Sequence, residues 1–121
     1  GCTATTYCPE RAVTRGEMAS FLVRMFDLPA PATDYFSDDD GTTHEVSINR
    51  VAAAAITTGC GPNLYCPNDD VSRGQMASFL ARAFDLPSTT TDFFTDDNGT
   101  THENNINRVA AAGITTGCTA T

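Results

Sequence analysis

A chain of 121 residues with 15 acids against 7 basic residues, every one an arginine, carries a formal charge of −8. That balance excludes nucleic-acid binding, which rests on neutralising phosphates with basic side chains, and adhesion to anionic membranes; it suits a polyvalent cation. No apolar run reaches the ~20 residues of a membrane span, no signal-peptide pattern is read, and the length allows one modest core.

Taken in chain order, the first element is a Cys-x5-Cys loop, Cys2–Cys8, and the first helix opens at Thr14-Arg15-Gly16-Glu17. There a hydroxyl and a carboxylate three residues apart can cap each other's backbone N–H, a capping box. Met18, Phe21, Leu22, Met25 and Phe26 follow at helical spacing and form the expected core face, and Pro29 stops the helix. A Pro/Thr linker leads to Tyr35-Phe36, the acidic loop Asp38-Asp39-Asp40-Gly41, and Thr42-Thr43-His44-Glu45, which reads as another capping box. The helix predicted from Thr43 to Thr57 buries Ile48, Val51, Ala52, Ala55 and Ile56, with Gly59 as its left-handed end. The Cys60–Cys66 loop comes next, then Ser72-Arg73-Gly74-Gln75 and a helix with Met76, Phe79, Leu80, Ala83 and Phe84 on one face, stopped by Pro87.

The remainder repeats what has gone before. Cys2–Gly59 and Cys60–Gly117 align without a gap at a period of 58, about two-thirds identical, and Gly1–Thr5 reappears as Gly117–Thr121. Periods of this size mark units that bury their apolar faces on their neighbours. The fold class is therefore all-α, built from tandem helix–loop–helix repeats, as two turns of an array.

Cysteines at 2, 8, 60, 66 and 118 read as two local disulfides, Cys2–Cys8 and Cys60–Cys66, with Cys118 in the phase of Cys2 and Cys60. The alternative is zinc with His44 and His102, although zinc sites favour two to four residues between paired cysteines. Disulfides place the chain in an oxidising, extracellular compartment.

Phe36-Ser37-Asp38, Ile48…Val51-Ala52…Ile56-Thr57-Thr58-Gly59, Tyr65-Cys66-Pro67 and Val71-Ser72-Arg73-Gly74-Gln75-Met76-Ala77-Ser78-Phe79-Leu80 together resemble an S-layer homology (SLH) repeat. The order matches that family's Phe-x-Asp, Gly-Ile-x-x-Gly, aromatic-x-Pro and Val-Thr-Arg-Ala-Glu phrases, and the disulfide with the acidic insert looks like a secreted actinobacterial variety. In that frame 1–33 is the second half of a repeat, 34–91 a complete repeat and 92–121 the first half of another. The resemblance implies a bacterial cell-surface protein whose units pack as a helical prism or solenoid-like array. It also implies that Arg15 and Arg73 hold an acidic, pyruvylated wall polysaccharide; the plainer alternative is that each pairs with an acid of a neighbouring repeat. The family's Trp after Phe-x-Asp is replaced near His44 and His102, and its Ala in the arginine phrase by Gly16 and Gly74.

The acidic loop carries the clearest chemistry. Hard divalent cations take oxygen ligands on alternate loop residues, with glycine at the turn and a carboxylate on the following helix. The pattern is similar to extracellular Asp-x-Asp-x-Asp-Gly-x-x-Cys-Glu calcium loops. It proposes Asp38, Asp40, the Thr42 carbonyl and Glu45 as ligands, and Asp96, Asn98, the Thr100 carbonyl and Glu103 in the second copy, each an incomplete cage filled by water or by an acid such as Asp34 or Asp92. The alternative is that these acids only favour the positive end of a helix dipole. Three functions follow for comparison. The first is a calcium-stabilised structural protein assembling with copies of itself into a filament, tube or surface layer. The second is an SLH anchor on wall polysaccharide. The third, an enzyme, lacks any nucleophile–base–orienter set and is not expected.

Overall fold

A computed structural model describes residues 2–118, which form four helices and no strand: α1 (Arg15–Phe26), α2 (Glu45–Ala53), α3 (Arg73–Ala83) and α4 (Glu103–Ala111). α1 packs on α2 and α3 on α4. Both expected capping boxes at the odd-numbered helices form. Thr14 Oγ1 accepts from the Glu17 amide while Glu17 accepts from the Thr14 amide, and Ser72 and Gln75 repeat the exchange. α1 ends on Asp27 in the left-handed region at φ 51°, its amide donating to the Val23 carbonyl.

The even-numbered helices depart from expectation. The Thr42/Glu45 box does not form, because Glu45 turns back to accept from the Gly41 amide at 2.8 Å and the Thr42 hydroxyl is buried without a partner. α2 is also shorter than predicted. The chain turns left-handed at Ala55, φ 59°, so Gly59 lies outside the helix, and a Cβ there would strike the Leu64 carbonyl oxygen.

The main core gathers Leu22, Ile48, Val51, Ile56, Phe36 and Tyr65, which are nearly or fully buried. Phe21 and Met25, expected in that core, are 48% and 64% exposed, and Ala55 is also exposed. A smaller core of Ala77, Ala81 and Val109 joins α3 to α4. The copies thus share a sequence but not their burial: Ile56 is 3% exposed and Ile114, its counterpart, 48%. Near-complete burial of such a side chain is worth about 1.5–3 kcal/mol. The cause of the difference is the segment that covers one copy.

Candidate functional site: the junction between copies and the acidic loop

Residues 60–71 lie across the first copy like a plug, held by the Cys60–Cys66 disulfide, with the Tyr65 side chain fully buried. The Cys2–Cys8 disulfide is formed too, and Cys118 is free and exposed. The Asp38 carboxylate accepts from the Tyr65 amide at 2.8 Å and the Cys66 amide at 2.7 Å. The Tyr65 hydroxyl donates to the Arg15 carbonyl at 2.8 Å, and burial pushes its phenol well above the ordinary range, so it stays a donor. Arg15 is 4% exposed, and its Nε donates to the Tyr65 carbonyl at 2.8 Å. Its guanidinium lies 4.7 Å from the Tyr65 ring centre and 5.5 Å from that of Phe79. A buried cation needs such compensation, and two aromatic faces with a carbonyl supply it.

Backbone pairing completes the junction. The Arg15 and Gly16 amides open α1, where helix donors lack internal partners; they donate to the Asp69 and Pro67 carbonyls at 2.8 and 2.9 Å. Val71 donates to the Val13 carbonyl at 2.9 Å. Phe26 and Phe84, 58 positions apart, meet edge to face with ring centres 5.1 Å apart. Arg15 is thus placed inside the junction between the two copies of the repeat, whereas Arg73 is exposed.

In the acidic loop, carboxylate oxygens of Asp34, Asp40 and Glu45 lie within 4.8 Å of one another. Asp38 is not in that group, since both its oxygens serve the Tyr65 and Cys66 amides. The Thr42 carbonyl accepts from the Glu45 amide at 3.4 Å. In the second copy Glu103 accepts from the Gly99 amide at 2.7 Å, while Asp96, Asn98 and Thr100 are exposed.

The residue the motif skipped is the most unusual. Asp39 is fully buried with neither oxygen hydrogen-bonded, and burial, with Asp34, Asp38 and Glu45 nearby, pushes its carboxyl up to about 6. Asp97 is likewise buried and orphaned, its carboxyl raised for the same first reason. Both copies keep this Asp where Asp40 becomes Asn98, a hint the motif reading passed over. Among the described residues neither histidine joins a cysteine in a cluster of possible metal ligands; His44 Nδ1 pairs with Ser20 Oγ at 2.9 Å and His102 Nδ1 with Ser78 Oγ at 2.8 Å.

No protein-family model matches the chain. Among curated proteins it is similar to an endoglucanase of Bacillus sp. (strain KSM-635), 33% identical over 85 residues, which are 70% of this chain and 9% of that protein. It is similar to exoglucanase XynX of Acetivibrio thermocellus, 32% identical over 88 residues, 71% of this chain and 8% of that one. The S-layer protein sap of Bacillus anthracis is 32% identical over 80 residues, 64% of this chain and 10% of its own length. The chain spans about a tenth of each relative.

Proposed function

We propose that this chain is a structural module of the extracellular bacterial surface, of the S-layer homology type, whose copies seat on one another and whose acidic loop is stiffened by calcium. The observation that carries the reading is the Tyr65–Arg15 junction, where the second copy's disulfide loop plugs the first: the Tyr65 hydroxyl donates to the Arg15 carbonyl, Arg15 Nε to the Tyr65 carbonyl, and the Tyr65 and Cys66 amides to Asp38. A joint that repeats by translation along the sequence suits open, head-to-tail assembly and a prism or solenoid of units divided at 1–33, 34–91 and 92–121. An extracellular location is supported by the two disulfides and by the S-layer relatives. A non-catalytic role is supported by relatives of unlike title, glucanases and S-layer proteins, that share this one stretch.

Calcium rests on Asp34, Asp40 and Glu45, whose converging carboxylates match a hard cation's preference for oxygen. In the second copy, Asn98 in place of Asp40 removes one charge and weakens the site. Electron microscopy of the chain in calcium and again after EGTA tests the whole reading: ordered fibres, tubes or sheets that disperse on chelation support it. Dispersed particles in both conditions overturn the assembly.

One observation favours a second reading, a wall-polysaccharide anchor: Arg73 stands exposed beside an open cavity of about 690 Å³. Sedimentation of the chain with purified pyruvylated wall polysaccharide, lost in Arg73→Ala, would favour that anchor.

A further inference from the structure

The cavity beside Arg73 is the second copy's version of the place that the Tyr65 loop fills in the first. Its walls include Arg73, Gly74, Phe94, Asp96 and Ile114, the counterparts of Arg15, Gly16, Phe36, Asp38 and Ile56. In the first copy Arg15, Phe36 and Ile56 are buried under the plug at 4%, 7% and 3% exposure; Ile114 is 48% exposed and Arg73 and Asp96 are open to solvent. Among the described residues no carbonyl meets the Arg73 and Gly74 amides as Asp69 and Pro67 meet those of Arg15 and Gly16. One face of the molecule is therefore a socket.

The first copy carries a matching, uncovered plug. Tyr7-Cys8-Pro9 repeats Tyr65-Cys66-Pro67, and its disulfide is closed. Tyr7 is 70% exposed where Tyr65 is wholly buried, and Phe21 is 48% exposed where Phe79 is 3% exposed. Each side chain left bare on one face has a counterpart that the internal junction covers.

We infer that a second copy of this chain docks its Tyr7–Val13 segment and Phe21 into the cavity bounded by Arg73, Asp96 and Ile114, an interface that the proposed assembly requires and on which this inference rests. The register follows from the internal junction. Tyr7 takes the place of Tyr65 over the guanidinium, now that of Arg73. Asp96 accepts from the incoming Tyr7 and Cys8 amides, and the Pro9 and Arg11 carbonyls meet the Gly74 and Arg73 amides. Gly1–Thr5 of the incoming copy repeats Gly117–Thr121 in sequence. The interface is heterologous and its ends stay free, so it propagates.

The test uses sedimentation velocity of the full chain over a concentration series, with circular dichroism to show that each variant is folded. Tyr7→Asp removes the plug and Ile114→Asp spoils the socket; both side chains are exposed, so neither change disturbs a core. The expected result is that wild type forms a ladder of oligomers and each variant alone stays monomeric. Mixing the two yields only one-to-one dimers, joined by the one intact plug and the one intact socket. If wild type assembles and Tyr7→Asp assembles to the same distribution, the docking site is overturned while the assembly reading stands. If wild type remains monomeric at every concentration, both are overturned.

Discussion

The imidazole of His44 lies against the α-carbon of Gly16: a methyl group placed there would meet His44 Cδ2 at 2.8 Å, and in the second copy Gly74 and His102 stand the same way at 2.9 Å. Ser20 fixes the ring by pairing with Nδ1. The two places where this chain differs from the SLH phrases are thus two sides of one contact, a small residue on α1 and a flat ring at the start of α2. Gly16→Ala is predicted to cost about 1–3 kcal/mol through overpacking, against a helix-propensity gain of at most about 1 kcal/mol. In a His44→Ala background the same substitution should become neutral or stabilising, as read by urea unfolding.

Ala55 adopts φ 59°, and the residue in its place in the second copy is Gly113 at φ 73°. A left-handed alanine costs roughly 1–2 kcal/mol, partly offset because glycine is freer in the unfolded chain. Ala55→Gly should therefore raise stability by about 0.5–1 kcal/mol and Gly113→Ala lower it by a similar amount. A shift of the two denaturation midpoints in the same direction would refute this account.

Asp39 makes stability depend on pH in an uncommon direction. Its native carboxyl titrates at about 6, above the unfolded value of about 3.9, so the native state binds more protons between those values. The stabilisation it brings is fully present below about 4 and is lost as pH rises through about 6. In chelator, the melting temperature of the wild-type chain should fall between pH 5 and pH 7 by more than that of Asp39→Asn. Equal slopes for the two proteins would remove Asp39 as the cause.

Asp38 and Asp40 separate structure from calcium. Asp38→Asn leaves one of the Tyr65 and Cys66 amides without its acceptor, and should cost about 1–3 kcal/mol in calcium and in EGTA alike. Asp40→Asn should leave stability in EGTA unchanged and weaken calcium binding about tenfold, the loss of one carboxylate of three. Calorimetric titration of both variants checks the pair.

Arg15 and Arg73 are the same residue of the repeat in unlike surroundings. Arg15→Ala strips a buried carbonyl of its donor and two rings of their cation, a loss of about 3 kcal/mol. Arg73→Ala, at an exposed position, should change the monomer's stability by less than about 0.5 kcal/mol. Comparable losses in the two would mean that the Arg15 contacts contribute little.

Features that depend on near neighbours along the chain are legible from the residues alone. The helix starts at Thr14 and Ser72 were legible because a capping box is closed by residues three apart. The Cys2–Cys8 and Cys60–Cys66 pairs were legible because each closes a loop of a few residues. The clustering of Asp40 with Glu45 was legible from a glycine turn between carboxylates. Long-range packing sets the rest. Phe21 and Phe79 occupy one position of the repeat, yet one is exposed and the other buried, because burial depends on whether a neighbouring copy lies over the face. No local pattern states that Asp38 clasps the Tyr65 and Cys66 amides, because they arrive from 27 and 28 residues away. A repeat states its own shape in its sequence, but which of its surfaces is an interior is settled by what stacks on it.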